Sequence, residues 1–235
     1  KTDNNNQFNK IKNILSSVKK NDFIIFNTEY QQNKYLEYKD KFDFQICKEN
    51  TDILYLPYRL NERKILKDSS KKYDFFILIQ YAKRKNPHLY KKYVEKLKMF
   101  NICVVLSNQQ DNINKYINIY NEEKNVDLFY CIDDIKLLEL IYYSKYCLYL
   151  SDDEGTGLHA IECIHNNCIP IVKNNICFNE LLGDNCYYLN DIYDIDNSII
   201  QINDIVKDEK LINLDSDIFK KFKIDFCCKQ LKKII

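Results

Sequence analysis

Glu154 and Glu162 bracket the segment EGTGLHAIE, with Gly155, Thr156, Gly157 and Leu158 following the first carboxylate. The chain has three glycines in 235 residues, so two in one turn mark a place where the backbone takes a special course. The apolar run Cys147-Leu148-Tyr149-Leu150 leads into the turn, and Leu158, Ile161 and Ile164 leave it at helical spacing. A strand-to-helix turn of this kind offers free backbone N–H groups and a helix dipole to an anion. Glu154 precedes the helix and Glu162 lies about two turns into it. Both can border one ligand lying across the helix N-terminus. Taken alone, the spacing also describes an ordinary βα turn with two surface glutamates.

A second cluster, Lys83-Arg84-Lys85-Asn86-Pro87, follows the apolar run from Phe75 to Gln80. Asn86 has the chemistry of an N-cap and Pro87 that of a first helical residue, so Lys85 projects from a loop before a helix whose dipole favours anions. Lys83 and Arg84 read as solvated loop cations. Asp152-Asp153-Glu154 is not read as a metal-binding D-x-D, because aspartates after a strand are mostly solvated or capping residues. Cys163, His165 and Cys168 have metal-binding chemistry, yet on a helix the two cysteines point about 140° apart. Neither a metal nor a cofactor is expected.

The elements that must carry these residues follow from periodicity. Strands are expected at 75–80, 102–107, 127–131, 146–150, 169–173 and 186–189, with helices near 87–99, 111–122, 133–144, 157–166, 177–182 and 195–207. This regular alternation predicts an α/β fold with a doubly wound parallel sheet and right-handed crossovers. Ahead of it, residues 1–7 read as a loose polar end and Phe8 to Val18 as a short amphipathic helix. Phe23 to Asn27 reads as a strand, Gln31 to Phe42 as a helix, and Phe44 to Cys47 and Ile53 to Pro57 as strands, a small βαβ-like unit. Ser216 to Ile235, with Phe219, Phe222, Phe226 and Leu231, reads as one terminal amphipathic helix. The expected organisation is a reduced N-terminal segment over 1–60, a ligand-binding domain over 61–213 and a C-terminal helix over 214–235.

Composition narrows the class. Hydrophobic residues make up 46% of the chain, enough to bury a core, and 35 basic against 34 acidic residues give a formal charge of +1. No global field draws in nucleic acid or an anionic membrane, so phosphate recognition must be local. The ten cysteines are scattered and mostly sit in apolar runs, which fits buried free thiols in a reducing compartment, here expected to be the cytoplasm. Neither a signal peptide nor an apolar stretch of transmembrane length is read, and the absence of an initiating Met points to a processed product or an excised piece.

Residues 141–190 resemble the nucleotide-sugar-binding half of GT-B glycosyltransferases, especially retaining family 4, whose motif E-G-F-G-L-P-x-x-E is followed by a P-V-I-A strand and a P-E-V-V-G-D segment. The counterparts here are Glu154 to Glu162, Ile169-Pro170-Ile171-Val172, and Asn179-Glu180-Leu181-Leu182-Gly183-Asp184. Thr156 replaces an aromatic or other apolar residue, and His159 stands where proline is frequent. Upstream, Lys85 matches the family's phosphate-binding lysine, while Gln80 falls on its arginine and leaves Lys83 or Arg84 as substitutes. The resemblance implies transfer of a sugar from a nucleotide-diphosphate sugar to a glycan, lipid or protein acceptor, without metal and with retention. It places Glu162 on the ribose, the Gly155–Gly157 amides and Lys85 on the diphosphate, and Glu154 on the transferred sugar. Thr156 and Leu158 complete the donor-binding turn.

Other readings stay open. GTGLHA fits the dinucleotide pattern G-x-G-x-x-A, but it follows four βα units instead of opening the domain, and Lys173-Asn174, not an acidic residue, ends the next strand. A sugar-nucleotide epimerase of the same class needs two complete domains. A non-catalytic sugar-nucleotide-binding or assembly module fits a short N-terminal segment, in which Glu29 is the one carboxylate nominated for the acceptor side.

Overall fold

A computed structural model describes residues 22–42, 48–55, 70–107, 113–152, 154–208 and 216–234. The expected loose end, the helix over Phe8 to Val18, the strand over Phe44 to Cys47 and residue Asp153 lie outside the described residues.

The centre is a six-stranded sheet of β3 (Tyr73–Ile79), β4 (Ile102–Leu106), β5 (Val126–Tyr130), β6 (Ser144–Tyr149), β7 (Ile169–Lys173) and β8 (Tyr187–Leu189). Their order is β5-β4-β3-β6-β7-β8 and every pairing is parallel. Helices α2 (Pro87–Lys96), α3 (Ile113–Tyr120), α4 (Asp134–Tyr142), α5 (Leu158–His165), α6 (Ile176–Leu182) and α7 (Ile195–Asp208) form the crossovers and close the last strand. This is the doubly wound architecture that the alternation predicts.

Successive strand residues face opposite sides, so each strand feeds two cores. Phe75, Ile77, Ile102, Val104 and Leu148 pack with Leu89, Tyr90 and Tyr93 of α2 on one face. Phe76, Cys103, Cys147 and Val172 point the other way and meet Ile161, Phe178 and Leu181 of α5 and α6. Each fully buried Leu, Ile or Phe contributes about 1.5–3 kcal/mol.

Strand β1 (Ile24–Phe26) and strand β2 (Thr51–Ile53) pair in parallel through helix α1 (Glu29–Phe42), a small βαβ unit beside the main sheet. Helix α1 starts two residues earlier than periodicity predicts. The Gln31 N–H donates to Thr28 Oγ1 at 3.2 Å, and Gln31 Oε1 accepts from Asn27 N at 3.2 Å, so a Thr-x-x-Gln pattern fixes the start. The unit is tied to the main sheet by Glu180 of α6. Its carboxylate accepts from Glu29 N at 2.7 Å, Tyr30 N at 2.8 Å and Tyr55 OH at 2.8 Å. Burial and then Glu180 hold the Tyr55 phenol well above its usual pKa.

Three expectations about elements are corrected. Of the strand expected over Ile53 to Pro57, residues 56 and 57 lie outside the described residues, and the described strand is Thr51–Ile53, where the register Ile24↔Thr51 sets it against β1. The terminal segment is a 3-10 helix (Ser216–Phe222) followed by helix α8 (Ile224–Ile234), not one helix. Residues three apart eclipse in a 3-10 helix, which turns Phe219 and Phe222 onto one face of the core and leaves Phe226 39% exposed. Asn86 precedes α2 in the left-handed region (φ 49°) and makes no side-chain cap. Its amide Nδ2 donates instead to Leu150 O at 3.0 Å.

Candidate functional site

The chain runs outward from β3 to β5 and then returns to place β6 on the other side of β3. Helix α2 after β3 and helix α5 after β6 therefore cover opposite faces, and the two strand-to-helix loops flank the point where the strand order reverses. Ligands of open α/β sheets bind at such a switch point. Lys85 lies in the first loop and Glu154 to Leu158 in the second. Hydrogen bonds to backbone carbonyls join the loops, from Asp152 N to Arg84 O at 2.9 Å and from Asn86 Nδ2 to Leu150 O.

Lys85 ends a 3-10 turn over Lys83–Lys85 and is buried. Its ammonium donates to Glu154 Oε1 and to Tyr149 OH at 2.6 Å, and it sits 4.8 Å from the centre of the Tyr149 ring. Tyr149 OH in turn donates to Glu154 Oε1 at 3.0 Å. Arg84 approaches the other oxygen, Oε2, at 3.3 Å. Burial opposes the Glu154 carboxylate, but Lys85, Arg84 and Tyr149 outweigh it and hold its pKa below the usual value. Burial and the same carboxylate push the Tyr149 phenol up. The result is one buried carboxylate satisfied by two cations and a phenol.

The turn after Glu154 is shaped by its two glycines. Gly157 has φ 56°, and a Cβ there would meet Leu181 Cδ1 at 2.8 Å. A Cβ on Gly155 would meet Gln31 Nε2 at 2.7 Å, so the side chain of α1 rests on the turn. Gly155, Thr156 and Leu158 are half-buried, and Gly157 caps α5, whose first-turn N–H groups have no intrahelical acceptor.

Glu162 is 8% exposed on α5, and His159 Nδ1 faces its Oε2 at 3.6 Å. Burial opposes the His159 imidazolium, but the Cys147 thiol and the Glu162 carboxylate hold its pKa above the usual value. Asp152 is a junction. It accepts from Lys173 Nζ at 2.8 Å and from Tyr193 OH at 2.7 Å, and these partners depress its pKa against the effect of burial.

The structure thus brings Lys85, Glu154 and the glycine turn together, with Glu162 about one turn into the helix that follows. Glu29, the nominated acceptor-side carboxylate, lends its backbone N–H to Glu180. Reading the sequence did not single out Tyr149 or Gln31, and it treated Arg84 chiefly as a solvated loop cation. Thr28-x-x-Gln31 is the signal that could have found Gln31. Nothing in the local pattern distinguishes Tyr149 from the other apolar residues of β6. Among the described residues nine cysteines are free, and no helix is long and apolar enough to cross a membrane.

Comparison with known proteins adds an independent finding. Residues 59–219 match the family model described as glycosyl transferases group 1. The fold resembles the crystal structure of the pneumococcal O-GlcNAc transferase GtfA in complex with UDP and GlcNAc, with a TM-score of 0.63 at 18% identity over 91% of this chain and 44% of that one. It also resembles TarM, with a TM-score of 0.68 at 19% identity over 95% of this chain and 45% of that one. Sucrose-phosphate synthase from Thermosynechococcus elongatus gives a TM-score of 0.68 at 16% identity, over 95% of this chain and 59% of that one. The chain spans less than half the length of the first two. No curated protein sequence matches.

Proposed function

The chain belongs to the glycosyl transferases group 1 family, and from that membership and the site we propose that it supplies the donor-binding half of a GT-B glycosyltransferase. The reaction moves a sugar from a nucleotide-diphosphate sugar to an acceptor hydroxyl. The observation that carries this reading is the meeting of Lys85, Glu154 and the Gly155–Gly157 turn at the switch point of the sheet.

In this reading the donor lies across the N-terminus of α5. Glu162 accepts from the ribose hydroxyls, Lys85 and the turn amides hold the diphosphate, and Glu154 accepts from hydroxyls of the sugar. When the anomeric C–O bond breaks, its electron pair stays on the departing diphosphate. A lysine and aligned amides stabilise that charge without a metal. Arg84 stands as the second cation in place of the arginine that Gln80 replaces. The acceptor oxygen bonds to the anomeric carbon on the face the diphosphate leaves, which retains configuration, and its proton passes to the leaving phosphate.

A thermal-shift panel of UDP-, GDP-, ADP- and TDP-sugars, followed by hydrolysis and transfer assays on any hit, tests this. Stabilisation with slow hydrolysis supports an enzyme. Binding without hydrolysis or transfer favours a sugar-nucleotide-binding module, and no binding by any donor contradicts both.

A further inference from the structure

On the face of the sheet that α5 covers, two thiols and an imidazole converge beside the donor site. His159 and Cys163 are one turn apart on α5 and share a helix face, and Cys147 meets them from β6. Both cysteines are fully buried. His159 Nε2 lies 4.0 Å from Cys147 Sγ and 3.9 Å from Cys163 Sγ, and the three ligand atoms all fall within 4.8 Å of one another. A zinc ion with ordinary bond lengths holds sulfur and imidazole nitrogen roughly 3.6–3.8 Å apart. The two sulfur–nitrogen distances must close by a few tenths of an ångström, and the sulfur–sulfur distance, bounded at 4.8 Å, by up to about an ångström, to complete three bonds.

The other ring nitrogen strengthens the case. His159 Nδ1 faces Glu162 Oε2 at 3.6 Å, the arrangement in which a carboxylate takes one imidazole N–H and leaves the opposite nitrogen free for a metal. The rings of Phe76 and Tyr149, at 5.8 and 5.7 Å, flank the imidazole. The His159 and Glu162 side chains are 12% and 10% exposed.

We propose that Cys147, His159 and Cys163 form a binding site for a thiophilic d10 cation, Zn²⁺ or Cu⁺, with Glu162 orienting His159. Loading releases the protons held by the two thiols and by His159 Nε2 in exchange for the cation. Two thiolates and an imidazole select against Mg²⁺ and Ca²⁺, which require oxygen ligands. The site is therefore different in kind from any metal held by a diphosphate. A bound ion clamps α5 to β6. An effect of that clamp on nucleotide binding rests on the role proposed above for Glu162, so the test reads the metal alone.

The reduced, metal-free chain is titrated with Co²⁺ as a coloured stand-in for Zn²⁺, and separately with Cu⁺ against a chromophoric chelator. One equivalent is expected, with thiolate-to-cobalt charge-transfer absorption if the site takes Zn²⁺, or withdrawal of Cu⁺ from the chelator if it takes Cu⁺. Affinity should fall at least tenfold in Cys163→Ala and His159→Gln and stay unchanged when the exposed Cys131 and Cys228 are both replaced by serine. The proposal is overturned if neither ion binds, or if binding is unchanged in both site variants. Should those variants fail to fold, X-ray absorption of the loaded wild-type chain decides. Two sulfurs with one nitrogen around the metal support the site, and a shell of nitrogen and oxygen alone overturns it.

Discussion

Lys85 and Glu154 lie 69 residues apart in sequence, yet the Lys85 ammonium closes onto the Glu154 carboxylate across two neighbouring strands. Tyr149 bonds both partners, and Arg84 reaches the second carboxylate oxygen. In this structure Glu154 is the counter-ion that a donor diphosphate would have to replace. Glu154→Gln removes the carboxylate that faces a buried ammonium and should destabilise the fold by about 3 kcal/mol. A nucleoside diphosphate should then raise the melting temperature of the variant more than that of the wild type. Equal melting of the two proteins would show that the pair carries no such energy.

The same pair sets an acid dependence. Glu154 has a folded pKa below its ordinary value of 4.5. Between the two values the unfolded chain binds more protons, so the stabilisation is complete above the ordinary value and is lost as pH falls through the folded one. The unfolding free-energy difference between wild type and Glu154→Gln should be flat at neutral pH and shrink in acid. A difference that grows in acid would reverse the sign of the shift.

How much of this was legible beforehand depended on the range of the signal. The strands of the main sheet follow from short apolar runs, and the glycine turn stands out because glycine is so scarce. Lys85 could be placed after β3 because its loop carries Asn86-Pro87, although Asn86 spends its amide on Leu150 and not on a cap. The Tyr149 phenol, the Gln31 contact and the Cys147–His159–Cys163 cluster all depend on which elements pack together. Cys147 and Cys163 sit on different elements, so helical geometry applied to Cys163, His165 and Cys168 could not reveal them. The terminal break before Ile224 comes from how Phe219 and Phe222 meet the core, which periodicity alone does not carry.

The two glycines of the turn should respond differently. Gly157→Ala meets a left-handed φ, worth roughly 1–2 kcal/mol, and also the Leu181 side chain at 2.8 Å. Gly155→Ala meets only the end of the flexible Gln31 side chain and should cost less than about 1 kcal/mol. Chemical denaturation of both variants checks the order, and a larger loss in Gly155→Ala would contradict it.

Glu180→Ala should loosen the small βαβ unit while leaving the six-stranded sheet folded. Amide exchange at Glu29 and Tyr30 should accelerate, because both donate to that carboxylate, and the Tyr55 phenol, raised by burial and then by Glu180, should titrate closer to its ordinary value. Unchanged exchange at these two amides would remove Glu180 as the tether.

Lys85→Ala should weaken donor binding and reduce its sensitivity to salt, since a charge contact to the diphosphate is lost. Wild-type donor binding should need neither Mg²⁺ nor Mn²⁺. Restoration by either ion of binding lost in EDTA would move phosphate recognition to the carboxylates beside Asp152.

The donor assignment is tested most directly by calorimetric titration of a matched nucleoside diphosphate and its sugar into wild type, Glu162→Ala and Glu154→Ala. Loss of a charge-assisted hydrogen bond to the ribose should weaken both ligands alike in Glu162→Ala, by about 1.5–3 kcal/mol. Glu154→Ala should lose the extra affinity contributed by the sugar. Superimposable curves for wild type and Glu162→Ala with both ligands would contradict the account.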